Sequence, residues 1–85
     1  MKGWNMKTQQ AIITRIRGIC MENQVSVNGL AYMAGMAPST VKNIVHGDSQ
    51  NPGVVTIAKI CNGLDISLRD FFDHDTFDDL EQEIE

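Results

Sequence analysis

Between residues 27 and 44 the chain places Leu30 and Ala31, then Gly35, then Val41 and Ile44. Few spacings constrain a short chain more. Two helices that cross steeply need a small side chain where their backbones approach, and Ala31 supplies it. The turn between them needs a residue tolerant of positive φ, and Gly35 supplies that. Val41 and Ile44, three residues apart, pin the second helix to the first. The spacing predicts a helix-turn-helix, with Ser39, Thr40, Lys42, Asn43 and His46 left for the outer surface.

The 85 residues, 42% of them hydrophobic, can build one compact core and not two. Cys20 and Cys61 are too few for a disulfide framework, and no CxxC or HxxxH spacing joins them to His46 or His74. They read as reduced, buried structural thiols, and no metal site is expected. No run approaches the ~18 apolar residues of a membrane span or the shorter core of a signal peptide. The expectation is a soluble, cytoplasmic protein with no membrane partner. A glycine-rich phosphate loop and a set of nucleophile, base and acid are both missing, so the chain reads as no enzyme. Neither a cofactor nor a small-molecule ligand is implied.

The formal net charge of -4 is unevenly spread. Residues 1–64 carry six basic side chains against Glu22 and Asp48, a balance of +4, whereas residues 65–85 set Arg69 against nine carboxylates, a balance of -8. A modestly basic domain therefore carries an acidic end.

Ile12, Ile13, Ile16, Ile19 and Cys20 recur at helical spacing and predict an amphipathic first helix over about residues 8–23, weakened slightly by Gly18. Ser26 is a suitable N-cap for a second helix over residues 27–34. Gly29 inside that helix signals either close packing or tolerated weakness. Pro38 suits the first turn of a third helix that Gly47 stops after His46. A turn-forming run over residues 48–53 leads to a fourth helix over about residues 54–62, with Ile57, Ile60 and Cys61 inward and Gly63 closing it. Leu64 and Ile66 then pack, and Ser67 caps a fifth helix over residues 68–72, whose Phe71-Phe72 pair is expected to seal the core. The expected organisation is an N-terminal extension over 1–7, a folded domain over 8–72, and an acidic tail or helix over 73–85.

Over residues 12–72 the sequence resembles the lambda-repressor and Cro-like helix-turn-helix family, also called XRE-like. The match comprises Leu30-Ala31, Gly35, the Ser39-Thr40-Val41 run, Ile44, Gly47, Asn51-Pro52, Thr56, Ile57, Ile60, Leu64, Ile66-Ser67-Leu68 and Phe71-Phe72, in order and without gaps. The resemblance implies an all-α, compact five-helix fold and a sequence-specific regulator of transcription that binds double-stranded DNA. It implies a bacterial or phage repressor as the usual role, reading the major groove with the helix at about residues 38–46. Carried over by position, Pro38, Ser39, Thr40 and Asn43 would read bases, with Asn43 suited to a bidentate contact with adenine. Lys42 and His46 would meet phosphates. So would Ser26, Val27 and Asn28 at the start of the second helix and Ser49, Gln50 and Asn51 after the third, through amides as much as through charge.

Three departures bear on the strength of binding. Val27 stands where the family often has a glutamine that reaches a phosphate. Pro38 replaces a long polar side chain, leaving apolar readout against a thymine methyl or none. Val45 replaces a frequent glutamate, and joins either the core or an interface. Arg15 and Arg17, on the first helix, are expected to serve solubility or a long-range attraction for phosphate.

In the tail, Phe77, Leu80 and Ile84 follow at spacings of three and four, an apolar stripe on what would be an acidic sixth helix. The stripe allows docking on the chain's own domain or a homodimer contact. A disordered tail is a further reading, and in any of these the acid can lower non-specific DNA binding. A second functional class uses the same fold as a protein-interaction module, an antitoxin or regulatory subunit, with the acidic stripe as its contact.

Overall fold

The structure is a computed structural model that describes residues 6–49 and 51–81. Five α-helices follow one another: α1 Thr8–Glu22, α2 Val27–Ala34, α3 Pro38–Val45, α4 Val54–Leu64 and α5 Leu68–Phe72. A 3-10 turn, Asp75–Phe77, comes after them. No helix among the described residues is long and apolar enough to cross a membrane.

Periodicity decides which residues meet. Ile12, Ile16, Ile19 and Cys20 of α1 join Leu30 and Ala31 of α2, Val41, Ile44 and Val45 of α3, Ile57, Ile60, Cys61 and Leu64 of α4, and Phe71 of α5 in one core. Val45 thus belongs to the interior. α2 lies against both α3 and α4, α1 packs on α3, and α5 packs on α4. The reading helix expected from the sequence, α3, is therefore held by the domain on one side and open to solvent on the other.

Four of the five helices end in the same way. Beyond each, one residue turns into the left-handed region while the next N–H reaches back to the carbonyl five residues earlier, closing the last turn. Gly35, at φ 67°, ends α2, with Met36 N–H on Ala31 O at 2.9 Å. Gly47, at φ 86°, ends α3, with Asp48 N–H on Asn43 O at 2.9 Å. Gln24 and Asp65, at φ 55° and 59°, do the same for α1 and α4 without being glycine. At their N-termini, Ser26 accepts from Gly29 N–H and Ser67 from Asp70 N–H, each at 3.0 Å. Both serine caps are where the sequence places them.

Gly63 corrects one expectation. It lies inside α4 rather than closing it, and a Cβ there would stand 2.8 Å from the backbone nitrogen of Ala34 and 2.9 Å from its Cα. Its role is close approach of α2 to α4. At Gly29 the fit is tight but less absolute: a Cβ would stand 3.1 Å from Val25 Cγ1 and 3.3 Å from the capping Ser26 Oγ, both side-chain atoms that would have to shift by a few tenths of an ångström.

The tail also differs from expectation. No α-helix forms through Glu81; after the 3-10 turn, Leu80 makes a parallel bridge with Met6, with Met6 N–H on Asp79 O at 3.2 Å and Glu81 N–H on Met6 O at 2.8 Å. Phe77 packs against the core, 6.0 Å from Phe71 and 5.0 Å from Phe72 between ring centroids. Phe72 itself is 40% exposed, so the seal consists of buried Phe71 with Phe72 edge-on and Phe77 across it, rather than of the expected pair alone.

Two helical glycines should respond oppositely to the same substitution. A Cβ at Gly18 would meet nothing within 4 Å, so Gly18→Ala should raise the thermal midpoint through helix propensity worth ~1 kcal/mol. Gly63→Ala, gaining the same propensity, should instead lose about 1–3 kcal/mol to overpacking, a fall of roughly 10 °C on thermal melting by circular dichroism. Phe77→Ala should cost about 1–2 kcal/mol in the same measurement, where an undocked tail would give no change.

Candidate nucleic-acid interface

α3 starts at Pro38 with Ala37 as an N-cap that provides no side-chain bond. The ring presets φ, and the missing amide hydrogen has no use in a first turn. Val41, Ile44 and Val45 are then driven inward, all at or below 3% exposure. Pro38, Ser39, Thr40, Lys42, Asn43 and His46 are left in solvent on the opposite side. The outward row thus carries hydroxyl, amide, imidazole and ammonium groups.

Beyond α3 the chain folds back on this row. Asp48 and Ser49 both donate their backbone N–H to Asn43 O, at 2.9 and 3.0 Å, which ties the following loop to the exposed helix. A hollow of about 220 Å³ results, lined by Thr40, Asn43, Ile44, Ser49, Asn51, Pro52, Gly53 and Thr56. Four of the residues singled out in the sequence, Thr40, Asn43, Ser49 and Asn51, therefore share one concave surface. α4 opens at the edge of this hollow, with Gly53 as an N-cap that offers no side chain, so its first-turn amides keep their donors for an external acceptor. Thr56 was not among the expected contacts; its position in the first turn of α4 is the signal that would have included it.

At the start of α2, Ser26 and Asn28 are exposed and Val27 is half-buried. The Ser26 oxygen is engaged in capping, while its hydroxyl hydrogen remains able to donate. Val27 lines an apolar groove of about 410 Å³ with Ile16, Cys20, Met21, Val25 and Val45, so its side chain rests on apolar surface and only its backbone remains polar. Gln50 and Ile84 lie outside the described residues. Phe77 and Leu80 are half-buried against their own domain rather than presented as a stripe.

Three α1 side chains whose roles the sequence does not reveal reach backbone carbonyls of other elements, Gln9 and Arg17 those of α3 and its loop and Arg15 those of α5. The Arg15 guanidinium donates to Phe71 O at 2.7 Å and to Asp70 O at 2.8 Å, and its charge centre sits 6.0 Å from the Phe71 ring centroid. Arg17 donates to Val45 O, at the last residue of α3, at 3.0 Å. Gln9 donates through Nε2 to Gly47 O at 3.0 Å and to Ser49 O at 2.9 Å. Both arginines thus complete helix C-termini, where cations and donors are favoured, and neither is a free solubilising charge. The signal for Gln9 was a polar residue four before Ile13, on the apolar side of α1.

Among the described residues, no group of three or more His, Cys, Asp and Glu is arranged to hold a metal ion. Lys7 meets Glu81 at 2.9 Å in an exposed pair, which contributes little to stability but keeps one cation close to the acidic tail.

Residues 15–76 match the family model described as the Cro/C1-type HTH DNA-binding domain. Among solved structures, the chain is similar to the prophage Lp1 protein 11, at 30% identity and a TM-score of 0.73 over 82% of this chain and 92% of that one. It is similar to an HTH_3 family transcriptional regulator from Vibrio cholerae, at 25% identity and a TM-score of 0.72, over 80% of this chain and 38% of that one. The clp gene regulator ClgR from C. glutamicum shares the fold at 18% identity and a TM-score of 0.68, over 82% of this chain and 88% of that one. No curated protein matches the sequence.

Cys20 and Cys61 take no part in the exposed row of α3: both are free and buried, Cys20 with an edge on the apolar groove, and burial pushes each thiol above its ordinary value, outweighing the nearby charge of Arg17 for Cys20 and of Arg15 for Cys61. A raised thiol pKa leaves less thiolate at pH 8, and thiolate is the form that alkylates. Iodoacetamide should therefore label both cysteines slowly in the folded protein and rapidly in denaturant, followed by mass spectrometry. Rapid labelling of the folded chain at either position would contradict its burial.

Proposed function

Because this chain belongs to the Cro/C1-type HTH DNA-binding domain family, we propose that it is a transcriptional repressor of bacterial or phage origin that reads an operator in the major groove with α3. The family match supports DNA-binding regulation. The finer reading is carried by one observation: the exposed row of α3 and the loop after it share a hollow at the open N-terminus of α4. A B-form major groove admits an α-helix, and a hollow lined by hydroxyls, amides and helix-start N–H groups beside that helix suits the flanking phosphates.

In this reading Asn43 makes the discriminating contact, pairing its amide with adenine N6 and N7. Ser39 and Thr40 add contacts tolerant of several bases, and Pro38 offers only apolar contact with a thymine methyl. Lys42 and His46 meet phosphates, as do Ser49, Gln50 and Asn51 on one side and Ser26 and Asn28 on the other, with Val27 contributing its amide alone. Two copies bind paired half-sites about one helical turn, ~34 Å, apart. The likeness to a prophage protein supports the phage-type role, and the likeness to an HTH_3 regulator supports control of transcription.

The alternative, a protein-interaction module whose contact is the acidic apolar stripe, is disfavoured by the inward packing of Phe77. A selection from random duplexes, followed by titration against salt, tests the main reading. A recurring motif should emerge, with affinity falling steeply as salt rises. Asn43→Ala should lose about 1–3 kcal/mol and relax the preference at one base pair, whereas Lys42→Ala should weaken all sequences alike and lower the salt slope by about 1. Failure to enrich any motif, together with no binding to duplex at low salt, would overturn the proposal.

A further inference from the structure

We infer that Gln9, on α1 and outside the reading surface, is the positioning residue that holds the loop after α3 ready for DNA phosphates. This role rests on the DNA-binding reading above and deepens it.

The loop is gripped from two sides. Its N–H groups at Asp48 and Ser49 converge on the Asn43 carbonyl of α3, at 2.9 and 3.0 Å. Its carbonyls at Gly47 and Ser49 converge on the Gln9 Nε2 of α1, at 3.0 and 2.9 Å. Gly47 sits between these grips in the left-handed region, at φ 86°, so the chain reverses direction there. Gly47 and Ser49 are both half-buried, where a carbonyl without a partner is costly.

The chemistry of the grip is selective. A single nitrogen must offer two hydrogens to two carbonyls, which a carboxamide does and a carboxylate cannot. Both neighbours being carbonyl oxygens, the amide nitrogen must face them. Asparagine would fall one methylene short. With the loop carbonyls tied back to α1, Ser49 and Asn51 line the hollow beside Thr40 and Asn43. A contact loop ordered before binding loses less conformational entropy when it binds, so the gain is read in DNA affinity.

The full chain and a mixed-sequence duplex of about 30 base pairs are the reagents, because phosphate contacts do not depend on sequence. Gln9→Met keeps the length of the side chain and removes both hydrogens; Gln9→Asn keeps the amide and shortens its reach. Each should bind about tenfold more weakly at low salt and leave the salt slope unchanged, because the loop's donors are uncharged and release no counterion. Combined with Asn51→Ala, Gln9→Met should weaken binding by less than the two separate losses would multiply to, as expected for residues acting through one loop. A purely structural role would lower the thermal midpoint and leave the affinity of the folded protein unchanged. Either variant, shown folded by circular dichroism, with unchanged affinity would overturn the inference while the DNA-binding reading stood. If the wild-type chain itself fails to bind duplex, both fall together.

Discussion

Every helix in this domain must find partners for the carbonyls at its C-terminus, and in helices as short as eight residues those groups are a large share of the backbone. The fold answers this in two ways. Left-handed turns at Gln24, Gly35, Gly47 and Asp65 close the ends of α1 to α4 from within, while Arg15, Arg17 and Gln9 reach across from α1 to carbonyls at or just beyond the ends of α5 and α3. Turn geometry sets the direction in which each new helix departs. Side chains from α1 then fix where α3 and its loop come to rest, so α1 is more than a core-filling helix: it is the frame against which the exposed element is aligned.

That division explains which parts of the structure can be read from residues alone. The ends of α2 and α3 are legible because Ser26, Gly35, Pro38 and Gly47 each satisfy a local backbone requirement, and local requirements leave a mark in residue type. The end of α4 is not. Asp65 adopts the left-handed conformation that a glycine would advertise, while Gly63, two residues before it, answers a different need: a backbone approach to Ala34 that only the folded chain creates. Gln9, Arg15 and Arg17 escape notice for a related reason. Their partners are carbonyls 28 to 56 residues away, and a carbonyl is present at every position, so no residue type marks the acceptor.

Periodicity misleads in the tail because it reports what a helix would bury, not whether a helix forms. Phe77, Leu80 and Ile84 have helical spacing, yet Asp75, Asp78 and Asp79 would crowd negative charge along the same short segment, and a short helix has little to offset the cost of its first turn. Phe77 gains more from the rings of Phe71 and Phe72, and Leu80 from backbone pairing with Met6. Tertiary contacts therefore take the stripe apart. The expected site residues fare differently: Thr40, Asn43, Ser49 and Asn51 come together because their positions depend on helix boundaries that were themselves legible.

Charge gives the exposed surface its character. Arg15 and Arg17 are tethered to carbonyls and Lys7 to Glu81, and on α3 itself only Lys42 carries a fixed positive charge. An interface of this kind draws on amides, hydroxyls and helix starts, whose attraction for phosphate is short in range and demanding in geometry. Long-range attraction tolerates a loose loop; short-range donors do not, since a displacement of an ångström removes the bond. The sparser the charge, the more the proposed binding depends on how firmly the loop after α3 is held, and in this chain that firmness comes from the Asn43 carbonyl on one side and the Gln9 amide on the other.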